Sequence, residues 1–219
     1  MFSLRTIVVS MLAALLAAPP AALAQEPSPN LQLLAAARSG DSAGVARALA
    51  NGATPDARTR IGETALVIAL KAGKLDLARQ MLDAGADVNV AAVNGITPLM
   101  AAAYGGYTDI ARALLAKGAT VEAVDRLQKN AMTYAAGQGS TEVVRLLLGS
   151  GVDPNAAYAH SLTALMWAAG YGKTDTVRVL LSAGARVELR DDRGKTALDI
   201  AREENFPETV RLLESAGKT

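Results

Sequence analysis

The chain has 219 residues, 51% of them hydrophobic and 20% charged, with a formal net charge of +1 at pH 7. This length can bury the core of one or two domains. The near-neutral charge argues against nucleic-acid binding, which needs a basic face to displace counterions. The sequence contains no cysteine, which excludes disulfides, thiolate nucleophiles, zinc–thiolate sites and the acylated cysteine of a lipoprotein.

The N-terminus has the pattern of a secretory signal peptide. Arg5 supplies a short basic segment, an apolar run follows at 7–18, and two prolines precede a small-x-small pattern at 22–24. Because this combination is typical of segments cleaved during export, we predict a signal peptide over 1–24 that is removed after Ala24. The expected location of the mature protein is periplasmic or secreted.

An uncleaved membrane anchor is the alternative for this segment. Its apolar run is shorter than the roughly 20 residues that a membrane-spanning helix needs, which favours cleavage. Residues 25–30 then form a short polar lead-in that contains two prolines. No later stretch is long and apolar enough to cross a bilayer, so we expect no membrane association after cleavage.

The rest of the chain repeats with a period of 33 residues. Glycines, threonines and alanines each keep this period without an insertion, which indicates a tandem array of one structural unit. The glycine register is Gly52, Gly85, Gly118, Gly151, Gly184 and Gly217. The threonine register is Thr64, Thr97, Thr163 and Thr196, with Asn130 in the remaining place.

Each unit predicts two short helices joined by turns. In one unit, Thr97 suits the N-cap of the first helix and Pro98 suits its first position, while Gly106 suits its end. The second helix is predicted over 108–117, where apolar residues recur at helical spacing, and Gly118 ends it. One such pair cannot bury its apolar face alone, so neighbouring pairs must stack.

The residues of this unit resemble the ankyrin repeat. The run Asn-Gly-Ile-Thr-Pro-Leu-Met-Ala-Ala at 94–102 and the run Leu-Leu-Ala-Lys-Gly-Ala at 114–119 both agree with the family pattern. The resemblance implies an all-α fold, an ankyrin-repeat solenoid of helix-turn-helix units with projecting hairpin loops, in one domain at 31–219. We predict six repeats, with boundaries near 29–58, 59–91, 92–124, 125–157, 158–190 and 191–219.

The sequence offers little for catalysis, metal binding or cofactor binding. Its single histidine, His160, is predicted at a hairpin tip, where exposure or partner contact is expected over catalysis. Three Gly-Lys-Thr sequences lack the earlier glycine of a phosphate-binding loop, which disfavours nucleotide binding. We therefore predict no enzyme activity, no cofactor and no metal site.

A ladder of arginines on the second helices has two interpretations. Each arginine follows an acidic residue by three positions, and such pairs stabilise a helix by about 0.2–0.5 kcal/mol each. If the arginines were not paired with these acids, they would instead form a basic surface for an acidic partner. Because every arginine has an acid beside it, we favour the structural interpretation. The arginines are Arg79, Arg112, Arg145, Arg178 and Arg211.

The resemblance also implies where a partner binds. In ankyrin arrays, partners contact the hairpin tips and the exposed ends of the first helices, which together form the concave face. The middle repeats carry apolar and aromatic residues at these places, and exposed apolar clusters mark interaction sites. The alternative is that the tips pack on one another. The predicted partner-binding residues are Val93, Asn94, Ile96, Tyr104, Arg126, Leu127, Lys129, Gln138, His160, Leu162 and Tyr171.

Several residues depart from the family pattern or lie inside its helices. The usual histidine near the start of the first helix is absent from every repeat, which leaves stacking at that position to apolar contacts. Gln128 and Ser161 replace the usual tip glycine and leave those hairpin shapes open, while Asn130 predicts a weak start for repeat four. Met100, Tyr134 and Trp167 lie inside first helices and are predicted to be core or helix-packing residues.

Together these features predict a non-catalytic, monomeric scaffold that is exported to the periplasm and binds a folded partner protein on its concave face. An enzyme or small-molecule binder that uses the groove is the alternative, and it would need convergent polar groups that the predicted groove lacks. A secreted effector directed at a host is a further alternative, which a cleavable signal peptide does not distinguish.

Overall fold

A computed structural model describes residues 27–217 of the chain. The signal peptide predicted at 1–24 lies outside the described residues, as do the first two residues of the lead-in predicted at 25–30 and the last two of the domain predicted at 31–219. The described part contains twelve α-helices, one short 3-10 helix (Ala159–Ser161) and no β-strand.

The helices follow one another in six pairs. The first helices of the pairs are α1 (Pro29–Ser39), α3 (Ala65–Lys71), α5 (Pro98–Gly105), α7 (Ala131–Gln138), α9 (Ala164–Gly170) and α11 (Ala197–Glu203). The second helices are α2 (Ser42–Ala50), α4 (Leu75–Asp83), α6 (Thr108–Ala116), α8 (Thr141–Gly149), α10 (Thr174–Ser182) and α12 (Pro207–Ala216). Each helix packs on the other member of its pair and on the equivalent helix of the next pair. The predicted fold class, an all-α repeat solenoid, is confirmed.

Side-chain caps fix the start of the first helices from α3 to α11. In four of them a threonine hydroxyl accepts a hydrogen bond from the backbone N–H three residues on, at 3.2–3.3 Å. In α7 the side chain of Asn130 accepts from the Thr133 N–H at 2.9 Å, and the Thr133 hydroxyl accepts from the Asn130 N–H at 3.0 Å. This capping box satisfies two backbone donors. The Asn130 Nδ2 is nevertheless buried without a hydrogen bond of normal geometry among the described residues, a cost that threonine avoids.

Alanine lets the first helices approach one another closely. One alanine position is fully buried in every repeat from the second to the sixth, where first helices of neighbouring repeats pack on one another. These residues are Ala69, Ala102, Ala135, Ala168 and Ala201. The positions that hold histidine in the family are also buried in repeats two to five, where they carry Val67, Met100, Thr133 and Met166. Stacking between repeats is therefore mainly apolar there, as predicted.

The second helices bury one face and expose the other. Leu147 of α8 is fully buried, as its helical spacing predicts. Its equivalents Leu114, Leu180 and Leu213 are at most 1% exposed. These leucines belong to the continuous apolar core, in which neighbouring helix pairs stack.

Two of the five arginine–acid pairs of the ladder form on the exposed face of the second helices. Arg79 Nη1 lies 3.1 Å from Asp76 Oδ1, and Arg145 Nε lies 3.4 Å from Glu142 Oε1. Because both pairs are exposed, each contributes little to stability. The other three arginines of the ladder, Arg112, Arg178 and Arg211, have no carboxylate of the described residues within 4.0 Å.

Five hairpin tips project between the helix pairs, and their backbones are hydrogen-bonded in series. The bonds run from Val93 N–H to Ile61 O at 3.0 Å, from Arg126 to Asn94 at 3.0 Å, from Ala159 to Gln128 at 3.4 Å and from Asp192 to His160 at 3.1 Å. The tips thus contact one another through their backbones, which leaves the side chains free to face outward.

The tips of repeats four and five turn without glycine, and the tip of repeat five differs in shape, with a 3-10 turn at Ala159–Ser161 and a φ of 59° at His160. Gln128 and Ser161 have φ angles of 56° and 57°, in the left-handed region that Gly95 occupies at the equivalent place with φ 85°. A non-glycine residue in this region is strained by about 1–3 kcal/mol. At Ser161, a hydrogen bond from its hydroxyl to the Asp192 carboxylate helps to offset the strain.

Candidate functional site

The tips and the last residues of the first helices line shared depressions and form one surface. We call this surface the inner face, and it corresponds to the concave face that the resemblance implies. Its tip segments are 58–63, 91–96, 124–129, 157–162 and 190–195. Its helix ends are 38–39, 71–72, 104–105, 137, 170–171 and 203–204.

A pocket of about 290 Å³ opens on the inner face at repeat three. Its walls come from one tip and from three consecutive first helices, α3, α5 and α7. The Tyr104 ring meets the Tyr134 ring edge-on, with the centroids 6.0 Å apart. The other main wall residues are Leu70, Lys71, Asn94, Ile96, Met100 and Tyr107. The lining is therefore largely apolar, with one lysine among its residues.

A second depression on the same face surrounds Trp167 and Tyr171. Their rings are stacked, with centroids 6.1 Å apart and planes 8° apart, because residues four positions apart share one side of a helix. Gly137 of α7 faces both rings, and a Cβ there would lie 3.6 Å from the Tyr171 ring. Because Gly137 has no side chain, the Tyr171 ring can lie against α7 at the surface.

Lys129 lies between the pocket and the depression, where its ammonium group is close to one aromatic ring of each. Its Nζ lies 4.2 Å from the centroid of the Trp167 ring and 5.8 Å from that of Tyr134, within the range of cation–π contacts. No carboxylate of the described residues lies within 4.0 Å of this ammonium group. We call Tyr104, Tyr134, Trp167, Tyr171 and Lys129 the aromatic cluster.

A buried carboxylate holds the tip of repeat four beneath this cluster. Asp125 is 4% exposed, and its Oδ1 accepts hydrogen bonds from the N–H groups of Leu127 and Lys129 at 2.8 and 2.9 Å. Its Oδ2 accepts from the Tyr134 hydroxyl at 2.5 Å. Burial and this hydrogen bond raise the pKa of Tyr134 well above its ordinary value. The phenol is therefore protonated at neutral pH and donates to Asp125.

Tyr158 in the next tip behaves in the same way. Its hydroxyl donates to Glu122 Oε2 at 3.3 Å. Burial, followed by the charge of Glu122, raises the pKa of Tyr158 to about 12. A phenol with a raised pKa is a poor general base or nucleophile near pH 7.

Four of the predicted partner-binding residues are large exposed hydrophobic residues. Val93 is 52% exposed, Tyr104 58%, Leu127 64% and Tyr171 55%. Among the described residues, the others of this kind are Leu31, Ile61 and Val124. The remaining predicted residues of the tips are exposed at Asn94, Arg126 and His160 and half-buried at Ile96, Lys129 and Leu162.

Gln138 is separated from the other predicted partner-binding residues. It is exposed, but it lines a polar depression together with Gly139, Lys173 and Glu208. That depression lies where first helices turn into second helices, away from the aromatic cluster. The sequence predicted Gln138 beside the other partner-binding residues because Tyr171 occupies the equivalent position one period later, in repeat five.

His160, Ser161 and Asp192 meet at the tips of repeats five and six without forming a catalytic triad. His160 Nδ1 lies 3.6 Å from Asp192 Oδ2, and the Ser161 hydroxyl donates directly to Asp192. A triad needs the serine hydroxyl bonded to the histidine and the histidine to the carboxylate. The side chain of His160 is also 81% exposed, so no closed site surrounds the three groups.

Part of the inner face was not predicted from the sequence. Tyr134 and Trp167 pack against the core as predicted, yet they are half-exposed and line the pocket and the depression. Leu31 extends the apolar surface into repeat one, where it is 60% exposed, and Ile61, which the repeat register does place at a tip of this face, is 58% exposed in repeat two. The spacing of Trp167 and Tyr171 was the signal that places these two rings on one side of a helix.

The described residues, 27–217, contain neither a metal-ligand cluster nor a membrane-spanning helix. No group of three or more histidine, aspartate or glutamate side chains in this range is placed to hold a metal ion. None of the helices in it has the length and apolar character to cross a membrane.

The repeat pattern of the chain matches one family model. The model described as ankyrin repeats (3 copies) matches three overlapping stretches, residues 33–125, 73–158 and 132–218. Together these stretches extend from the first helix pair to the last. No curated protein matches the chain.

Proposed function

The chain belongs to the ankyrin-repeat family, and from this premise we propose that it is an exported scaffold that binds a folded partner protein on its inner face. Ankyrin repeats are generally protein–protein interaction modules, and members of the family are typically non-catalytic. The inner face supplies the place of binding, and the N-terminal sequence supports export.

The exposed side chains of the middle repeats support binding at the inner face. Val93 and Leu127 project from neighbouring tips, and Tyr104 and Tyr171 belong to the aromatic cluster, each more than half exposed. Contiguous apolar surface of this kind marks interaction sites, and tyrosine and tryptophan are enriched at interface centres. Because the tips are hydrogen-bonded to one another, the surface is ordered before binding and loses little entropy when a partner docks.

The same geometry favours a protein over a small molecule. The pocket beside Tyr104 has about 290 Å³, at the lower limit of small-molecule sites. Its lining offers few converging polar groups, which such sites use to fix a ligand. A side chain that projects from a protein partner needs neither enclosure nor a full set of polar contacts.

Site-specific photo-crosslinking in the native cell tests binding at the inner face. A photoreactive amino acid replaces Val93 or Leu127, and matched controls replace Arg112 or Arg178 on the exposed face of the second helices. We expect one discrete protein adduct from the inner-face positions and none from the controls. Adducts from the controls alone, or no adduct from Val93 and Leu127, would rule out the inner face as the binding surface.

Export is supported by the sequence at 1–24 and is tested by N-terminal sequencing. We expect the mature protein to begin at Gln25 and to be recovered outside the cytoplasm. Cleavage after Ala24 leaves a chain without the apolar run of 7–18. Recovery of membrane-bound protein that still begins with Met1 would contradict export by a cleaved signal.

A further inference from the structure

The charges of the inner face indicate the chemistry of the partner. We infer that the partner docks with an acidic segment that carries a bulky apolar side chain. The carboxylates of the segment contact the arginines of repeats one and two, and its apolar side chain enters the pocket between Tyr104 and Tyr134. This inference rests on the proposed function and specifies the partner that the inner face accepts.

The inner face of repeats one to four carries more cations than carboxylates. The cations are Arg38, Arg58, Arg60, Lys71, Arg126 and Lys129, and the carboxylates are Glu63 and Asp125. Among the described residues, Lys71 alone of these six cations lies within 4.0 Å of a carboxylate. Five positive charges are therefore left without an ion pair on one surface of a chain whose formal net charge is +1.

Both carboxylates of this part of the face are already bound. Glu63 is 9% exposed, and its Oε1 accepts a hydrogen bond from Lys71 Nζ at 2.5 Å. Asp125 is buried and is engaged by two backbone N–H groups and by the Tyr134 hydroxyl. Lys71 neutralises Glu63, whereas Asp125 keeps its negative charge, so six cations and two carboxylates leave this part of the face with a net charge of +4.

Three of the cations converge on one depression at the N-terminal end of the face. Arg38, Arg58 and Arg60 line it together with the exposed Leu31 and Ile61, and its volume is about 480 Å³. Guanidinium groups bind carboxylates through paired hydrogen bonds. An acidic segment with an apolar residue among its carboxylates matches both the charges and the exposed aliphatic groups.

The pocket beside Tyr104 supplies the apolar half of the docking surface. Its rim includes Lys71, which lies on the side towards the arginines. Neighbouring helices pack about 8–10 Å apart, so the arginine depression and the pocket are about two helix spacings apart. An extended segment of about six residues spans this distance of about 20 Å.

A protein segment fits this surface better than nucleic acid does. Single-stranded nucleic acid is bound by open aromatic faces on which bases stack. Here Lys129 lies over the Trp167 ring, and Tyr171 is stacked against the same ring. The centre of the face is thus apolar and already stacked, while the free charge lies mainly at its N-terminal end.

Selection from a randomised peptide display library on the immobilised protein tests the inference. We expect the enriched peptides to contain several aspartate or glutamate residues and one leucine, phenylalanine or tryptophan. A synthetic peptide of the enriched sequence then serves as the probe in titrations at low and high salt. Its affinity is expected to fall as salt is raised, because the contacts to the arginines are exposed and screened.

Charge reversal at the arginine depression has a matched control on the second helices. The variant Arg58→Glu with Arg60→Glu is compared with Arg112→Glu with Arg178→Glu, which changes the net charge by the same amount. We expect the first variant to lose affinity for the acidic peptide by about tenfold or more, since like charges then face each other. The second is expected to bind normally, and thermal unfolding of both establishes that they are folded.

Three results would overturn the inference. They are a library without acidic enrichment, a peptide whose affinity is equal in both charge-reversal variants, and a single-stranded oligonucleotide of equal charge that binds more tightly than the peptide. If Val93 and Leu127 still crosslink to a protein in those cases, binding at the inner face stands and the acidic partner alone is wrong. If the acidic peptide binds as expected but no protein crosslinks in the cell, the proposed function fails by itself.

Discussion

Repeats four and six present the same tip backbone but different inner faces. In both, an aspartate at the start of the tip accepts the N–H groups two and four residues on through Oδ1, at 2.8–2.9 Å. In repeat four the second oxygen of Asp125 binds the Tyr134 hydroxyl. In repeat six the second oxygen of Asp191 binds the Arg193 guanidinium at 2.7 and 2.9 Å.

The lysine that ends each tip shows the same contrast. Lys195 forms an ion pair with Glu203 at the end of α11. Lys129 has Gly137 at the equivalent place of α7, and its ammonium group lies on the Trp167 ring instead. One side chain at the helix end therefore decides whether the tip lysine is neutralised within its own repeat.

This comparison shows how one repeat scaffold is divided into a closing cap and a binding surface. The backbone of the tips is conserved between the two repeats because the aspartate fixes it in both. Repeat six pairs Arg193, Lys195 and Arg202 with carboxylates of its own. Repeat four leaves an aromatic cluster and a lysine without a carboxylate, which a partner can contact.

The largest expected effect is a loss of stability when a buried leucine is truncated, and it should differ between an interior repeat and a terminal one. Leu147→Ala in repeat four should lower the free energy of unfolding by roughly 2–5 kcal/mol, because it leaves a cavity at a fully buried site. Leu213→Ala in repeat six lies at the end of the array, so it should loosen mainly the last helix pair. Urea unfolding followed by circular dichroism measures both. Equal losses in a single shared transition would show that the repeats unfold as one unit without a distinct cap.

Removal of the two exposed tyrosines should separate binding from folding. Tyr104→Ala with Tyr171→Ala should weaken partner binding by on the order of 2 kcal/mol per anchor. Each ring also contacts a second aromatic ring, and such a contact contributes about 0.5–1.5 kcal/mol to stability. A moderate shift of the unfolding midpoint with the crosslinked partner lost is the expected result. Arg112→Ala with Arg178→Ala is the control, and equal loss of the partner in that variant would place the interface elsewhere.

Gly137→Glu converts repeat four into the arrangement of repeat six. The new carboxylate can pair with Lys129, so we expect affinity for an acidic partner to fall. Gly137→Gln is the matched control for the size of the new side chain, and Gly137→Ala controls for the added Cβ, which would meet Tyr171 and Trp167 at ordinary contact distances of 3.6–3.8 Å. The alanine variant should be stabilised by about 0.4–1 kcal/mol through the lower entropy of its unfolded chain. Unchanged affinity in Gly137→Glu, measured by titration with the acidic peptide, would mean that the Lys129 charge is not used.

The smallest expected effect is a difference in alkaline stability between the two repeats. The pKa of Tyr134 is raised in the folded protein by burial and by Asp125, while an unfolded tyrosine titrates near about pH 10. The folded state thus binds the phenol proton more tightly than the unfolded state does. The contribution of Tyr134 to the free energy of unfolding is therefore complete below about pH 10 and is lost as the pH rises towards the pKa of the folded protein. The guanidinium that binds Asp191 does not titrate in this range.

The midpoint of urea unfolding at neutral and alkaline pH measures this difference. Tyr134→Phe should make the midpoint less dependent on alkaline pH, whereas Arg193→Gln should leave that dependence unchanged. Tyr158 also has a raised pKa, so part of the dependence should remain in Tyr134→Phe. An identical alkaline profile in Tyr134→Phe and the unmodified protein would contradict the role assigned to this phenol.

The sequence by itself determined the period, the helix pairs and the inward face of each helix. Thr97 and its equivalents mark helix starts through a local hydrogen bond, and Leu147 is placed inward by the spacing of its own helix. These features depend on residues a few positions apart, so a pattern along the chain contains them. The exposure of Tyr104 and Tyr171 followed from the same register.

Only the tertiary structure decided which side chains of neighbouring repeats meet. The contact of Lys129 with Trp167, the bond between Ser161 and Asp192 and the position of Gln138 away from the cluster all depend on how one unit is offset against the next. The residues in such contacts lie about one repeat apart in sequence, and no local propensity relates them. A register assigns each residue its place within a unit, whereas side-chain length and the space left by residues such as Gly137 determine what it contacts.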